Sequence, residues 1–258
     1  MKLSISAALE NASVMAEAGF DCIDVPIGLC ASARIPEDKW KASLAAYEKS
    51  PLPLAGSAGL FPGDLPLTGP KANLEDVMDY LKVTIARAAA VGVTHIVFGS
   101  GAARNVPEGF DMGKALDQVL EISKRMADLA ANANLTIVLE TLHHGETNTF
   151  NTIAAGALLV NRVNHPSFRL LTDYYHFAKC DNDLTSLVMA TPLIKHTHIA
   201  TAEHRRFPGM EFSDFSQWMH VLKAGGYDGV IAIEGAGDFN VECLRQAATV
   251  LREAWEKA

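Results

Sequence analysis

The sequence predicts an α/β protein of the (β/α)8 barrel class. Eight short apolar, β-rich runs alternate with longer stretches of helical periodicity along the 258 residues. No glycine-rich turn follows the first run, whereas a doubly wound sheet usually reaches its ligand through one. No Pro/Ser-rich linker or low-complexity block breaks the alternation, so residues 1–258 are expected to fold as a single domain. Hydrophobic residues make up 49% of the chain, enough for one large core.

The first run, KLSIS (2–6), leads to helical spacing at Val14, Met15 and Ala18 that stops at Gly19. CIDVPI (22–27) predicts the second strand, and Pro36 to Lys49 the second helix. LPLAGS (52–57) is a weaker third strand ahead of a Gly/Pro-rich loop. Leu74, Val77, Met78, Leu81 and Ile85 then recur at helical intervals. THIVFGS (94–100) is the fourth strand, followed by a helix through Leu116, Val119, Leu120, Ser123 and Met126. TIVLE (136–140) is the fifth, and Asn151 or Thr152 can cap the next helix. FRLLTD (168–173) is the sixth, with a short helix from about Asp183. LIKHTHIA (193–200) is the seventh; Asp214 and Gln217 then sit at capping-box spacing before Trp218, Met219 and Leu222. GVIAIEG (229–235) is the eighth, and Val241, Leu244, Ala248, Leu251 and Trp255 mark the last amphipathic helix.

The formal charge is −8, the pI is about 5.6, and no run of basic residues occurs, which argues against a nucleic-acid or acidic-membrane partner. Cys22, Cys30, Cys180 and Cys243 form no CxxC pair and read as reduced cytosolic thiols. No apolar stretch approaches a membrane span, and Glu10 and Glu17 interrupt what a signal peptide would need. The expected setting is the cytoplasm.

Polar residues fall where a barrel gathers its strand ends. Glu140, Asp173 and Glu234 end the fifth, sixth and eighth predicted strands, and His198 lies near the end of the seventh. The C-terminal ends of barrel strands share one rim, so these side chains are expected to converge. Three anions and an imidazole in a low-dielectric mouth call for protonation or a cation. The donor set suits Mn²⁺ first, with Co²⁺, Mg²⁺ and Zn²⁺ as alternatives. His196, two residues before His198 on the same face, is either the alternative ligand or a packed layer residue; His198, nearer the rim, is preferred. His143 and His144 read as loop histidines and His95 as structural. GSGAAR (99–104) can hold a phosphate through backbone N–H groups and Arg104, or is a turn that needs small residues.

VLETLHHGETNTFNT, LLTDYYH, KHTHIATAEHRRFPG and GYDGVIAIEG resemble motifs of the xylose-isomerase-like TIM-barrel superfamily. Within it they are closest to the sugar isomerase/epimerase branch that includes ketose 3-epimerases of the D-tagatose 3-epimerase type. The resemblance covers the second half of the chain; the first half matches in pattern only. It implies one divalent metal held by Glu140, Asp173, His198 and Glu234. It further implies Glu140 and Glu234 as the acid/base pair, and Glu146, His176 and Arg205 as substrate-binding residues. A second-metal role for His176 is the alternative. The implied reaction is a proton shift beside a ketose carbonyl through an enediolate, most simply 3-epimerisation of a small-molecule sugar. Aldose–ketose or hydroxypyruvate-type isomerisation, on free, phosphorylated or oxidised sugars, is the nearer alternative, although hydroxypyruvate isomerases often carry glutamine where His198 stands. An endonuclease IV-like nuclease is the remote one. It needs histidine ligands from earlier strands and a basic surface, and the second and third predicted strands contain no histidine. A homodimer or homotetramer is the family's expectation. Thr141, where the family often has proline, and the His143–His144 pair depart from the pattern around the substrate pocket.

Overall fold

Residues 1–180 and 182–258 are described by a computed structural model. Among them seven strands form: β1 (Lys2–Ile5), β2 (Gly56–Ser57), β3 (His95–Phe98), β4 (Thr136–Glu140), β5 (Phe168–Asp173), β6 (Ile194–Ile199) and β7 (Val230–Ile233). All pairings are parallel, in the order β1-β7-β6-β5-β4-β3-β2. The helices are α1 (Ala12–Ala18), α2 (Ile27–Cys30), α3 (Glu37–Glu48), α4 (Leu74–Ala90), α5 (Gly101–Arg104) and α6 (Met112–Asn132). They continue with α7 (Ile153–Val163), α8 (Tyr174–Lys179), α9 (Leu184–Ala190), α10 (Ser216–Ala224) and α11 (Val241–Lys257).

The expected second strand is reduced to two bridges, Ser6 with Asp24 and Ile23 with Leu54. These bridges still close the ring between β1 and β2. Asp24 N–H donates to the Ile5 carbonyl at 3.1 Å, and Ile23 N–H to the Pro53 carbonyl at 3.0 Å. Two features shorten this part of the sheet. Pro26 turns the chain directly into α2, and Pro51 and Pro53 bring no N–H to the ladder. The fold is therefore the expected barrel, with its second and third staves cut to a few residues.

Alternation along the strands decides what faces inward. Val97, Val138 and Leu171 form a small cluster apart from the main core. Two residues further on, and so on the same inner face, stand Gly99, Glu140 and Asp173. The other parity, including Ile96, Phe98, Ile137, Leu139, Leu170, Ile231 and Ile233, joins the large core beneath the helices. The helices that cover this layer are capped locally. Thr152 Oγ1 accepts from Ala155 N–H at 3.1 Å, which identifies it rather than Asn151 as the cap of α7. Asn151 instead donates to the Leu142 and Thr147 carbonyls at 2.8 and 2.9 Å and folds the loop after β4. Asp214 caps Ser216 N–H at 3.0 Å instead of completing a box with Gln217. No helix among the described residues is long and apolar enough to cross a membrane.

Candidate active site

The four strand-end residues meet. Glu140, Asp173, His198 and Glu234 each place one ligand atom within 4.8 Å of the others. His198 is the hub: its Nδ1 lies 2.9 Å from Glu140 Oε1 and 3.3 Å from Glu234 Oε2. Glu140, Asp173 and His198 are buried. Gly99 makes room, since a Cβ there would collide with Glu140 Oε2.

The charges do not balance. Burial, then the Glu140 charge, pushes the Asp173 carboxyl up to about 7. Burial works against ionisation of Glu234 as well, yet His198 overrides it and holds that carboxyl down at about 2. His198 is driven the other way, well above its ordinary range, by Glu234 and Glu140 acting against its burial. Asp173 divides its oxygens: Oδ1 caps α8 by accepting from Tyr175 N–H at 2.9 Å, while Oδ2 is buried with no hydrogen-bond partner. An orphaned carboxylate oxygen among two further carboxylates and an imidazole is a donor set that fits a divalent cation.

Arg205 spans the open side. Its Nη2 lies 2.6 Å from Glu234 Oε2 and 3.6 Å from Asp173 Oδ2, and its Nη1 lies 3.2 Å from Glu146 Oε1. The guanidinium rests 4.8 Å from the centroid of the Tyr175 ring. Its backbone is left-handed at φ 53°, a conformation that costs a non-glycine residue energy. His176 Nδ1 accepts the His143 N–H at 3.2 Å, and its Nε2 is buried without a hydrogen-bond partner, 3.6 Å from Asp173 Oδ2. Burial and the nearby Arg205 push its pKa down to about 3, so the ring is neutral. A cavity of about 500 Å³ opens beside Glu140 and Glu234, lined also by Glu146 and Arg205 and by Gly99, Ser100 and Gly101.

All seven residues expected at the site are thus in one neighbourhood. The other histidines sort cleanly. His196 lies one layer deeper, with Nε2 2.8 Å from Asp24 Oδ2, and its ring stacks on His95 at 5.6 Å. It is a packed layer residue, although one of its ring nitrogens also falls within 4.8 Å of ligand atoms of Asp24 and His198. His144 is exposed. Arg104 is not the phosphate anchor that GSGAAR allowed. It is fully buried, donating to the Phe98 carbonyl at 3.1 Å and the Glu140 carbonyl at 2.9 Å, and so ties together the ends of β3 and β4. Asp24 and Tyr175 belong to the surroundings of the site and were missed from sequence. An acid inside the apolar run CIDVPI was the available signal for Asp24.

Residues 12–254 match the family model described as xylose isomerase-like TIM barrel. An L-ribulose 3-epimerase of Methylomonas sp. (strain DH-1) is 31% identical over 134 residues, 51% of this chain and 46% of that protein. A ketose 3-epimerase of Arthrobacter globiformis is 29% identical over 111 residues, 43% of this chain and 38% of that protein. The chain thus matches less than half the length of these curated relatives. A solved L-ribulose 3-epimerase superposes with a TM-score of 0.83 at 20% identity, covering 99% of this chain and 94% of the other, which is a likeness of fold. With a family model matched along nearly all of its length, and with that fold in place, the chain belongs to the xylose isomerase-like TIM barrel family.

Proposed function

We propose that this protein is a divalent-metal-dependent sugar epimerase that inverts C3 of a ketose. One observation carries the reading: two glutamates, from β4 and from just after β7, flank one histidine and line an open cavity, beside an aspartate oxygen without a hydrogen-bond partner. Epimerisation needs two acid/base groups reaching one carbon from two sides, and Glu140 and Glu234 stand at the two ends of the quartet around the rim. The curated relatives, named as 3-epimerases, support it.

Glu140, Asp173, His198 and Glu234 would hold the ion, Mn²⁺ by donor type, with Co²⁺, Mg²⁺ and Zn²⁺ as the other candidates. When bound, the ion polarises a substrate carbonyl and stabilises the negative charge that proton removal creates. Glu140, as a carboxylate, would take the C3 proton, and Glu234, after taking up a proton from solvent, would return one from the other side; the reverse reaction exchanges the roles. Glu146 and Arg205 receive the sugar's hydroxyls, and His176, neutral and with an unpartnered Nε2, meets another sugar oxygen. The rest of the reading comprises one domain, a cytoplasmic setting suited to the reduced cysteines, and a homodimer or homotetramer.

The test is deuterium uptake from D₂O into a panel of free ketoses, aldoses and hydroxypyruvate with Mn²⁺ present, followed by NMR. Label at C3 of a ketose together with a new diastereomer is the expected result. Label at C1 or C2 makes the enzyme an aldose–ketose isomerase, and no exchange with any free sugar points to phosphorylated or oxidised substrates and reopens the proton-transfer role of Glu140 and Glu234.

A further inference from the structure

The loop after β4 carries a histidine, His143, that the quartet does not use, and its geometry is set at both ends. Gly145 N–H donates to His143 Nδ1 at 3.0 Å, so Nδ1 is the acceptor and the ring proton sits on Nε2. That Nε2 lies 3.3 Å from Glu146 Oε1, the oxygen that Arg205 also approaches at 3.2 Å. The fold-back depends on glycine, because a Cβ at Gly145 would come 2.7 Å from the His143 ring. Tyr175 meets the ring edge-on at 5.5 Å, and the His176 ring lies 5.2 Å away. The backbone is engaged too, since His143 N–H donates to His176 Nδ1 and thereby leaves the His176 proton on Nε2.

We propose that His143 is a positioning residue that fixes the sugar-recognition side of the site. It holds the half-exposed Glu146 in one rotamer as an acceptor, and it fixes His176 as a donor. A side chain such as Glu146, left to water, would lose that orientation on every rotamer change. The consequence for specificity rests on the proposed epimerase reading. The substrate group lying against Glu146 must donate a hydrogen bond, which a hydroxyl does and a phosphate or carboxylate cannot.

The experiment is a double-mutant cycle on turnover of the ketose identified by deuterium exchange, using His143→Ala, Glu146→Gln and the pair. His143→Ala is expected to raise KM about tenfold with a smaller change in kcat. His143→Gln, which keeps an N–H donor, should recover much of that loss. The pair should match Glu146→Gln alone, because His143 acts on the sugar through Glu146. Additive effects, or a lowered Tm with KM unchanged, would overturn the proposal. A readout without substrate comes from ¹⁵N NMR of the histidine rings. His143 should show protonated Nε2 and bare Nδ1, with signals that move in Glu146→Gln; a protonated Nδ1 overturns the proposal. The NMR result stands even if no ketose is turned over, so failure of the epimerase reading is distinguishable from failure of this one.

Discussion

Two histidines two residues apart on β6 face the same interior, and their surroundings differ in one respect. His196 has a single carboxylate, Asp24 Oδ2 at 2.8 Å, whose other oxygen accepts from Ser4 Oγ at 2.5 Å; the pair is buried, and the second ring nitrogen of His196 has no hydrogen-bond partner. His198 sits among Glu140 and Glu234, with Asp173 behind them and an opening above. One imidazole answers one acid in the first case. In the second, three acids face one imidazole and a shared arginine. A buried acid matched by one imidazole is a structural element, whereas an excess of anions lining a cavity marks a place for a cation.

The largest effect that separates the two should come from the rim. Glu140→Gln or Glu234→Gln is expected to lower kcat about 10²- to 10⁴-fold, as loss of a general acid or base does, with little change in Tm. Comparable turnover in both variants would remove them from the chemistry.

Breaking the deeper pair should do the converse. Asp24→Ala leaves His196 buried without its partner and should cost about 3–5 kcal/mol of stability in denaturant unfolding, while the quartet still binds metal. A variant that unfolds as the wild type does would show that the Asp24–His196 contact contributes nothing.

Asp173 sharpens the contrast with a sign. Its carboxyl is raised by burial and by Glu140, so its charge opposes folding while no cation is bound. Asparagine can keep the cap on α8. Asp173→Asn should therefore raise the Tm of the metal-free protein at pH 8, by roughly 1 kcal/mol of stability, and abolish the further rise on adding metal. A lowered Tm in the metal-free variant would contradict the account of the rim.

The smallest effect is in acid. His196 and Ser4 hold Asp24 well below the usual carboxylate range despite its burial. A depressed native pKa stabilises the fold above the unfolded value, and that contribution is lost as pH falls below about 4. Asp24→Asn should flatten this part of the stability profile between about pH 4 and pH 2; an unchanged slope would assign acid sensitivity elsewhere.

The second half of the barrel was legible in sequence because each strand there is a short β-rich run with a ligand-type residue at or next to its end. TIVLE and FRLLTD end on the acids that the structure brings to His198. The first half was harder. CIDVPI has the composition of a strand, yet Pro26 diverts it into α2 after two bridges. The Asp24–His196 contact joins residues 172 apart, a pairing that no local pattern exposes. Arg104 was left open for a different reason. Its small-residue loop suits a phosphate, but the guanidinium turns inward onto the Phe98 and Glu140 carbonyls. His143 had no legible role until the Gly145 turn brought its ring to Glu146.

The most direct test of the contrast between the two histidines is Mn²⁺ binding followed by the loss of the free-ion EPR signal. Chelator-stripped wild type, His198→Asn and Asp24→Asn would be titrated side by side, with folding checked by circular dichroism. The account predicts about one tightly held Mn²⁺ for the wild type and for Asp24→Asn, and none for His198→Asn. Wild-type affinity in a folded His198→Asn protein would contradict it.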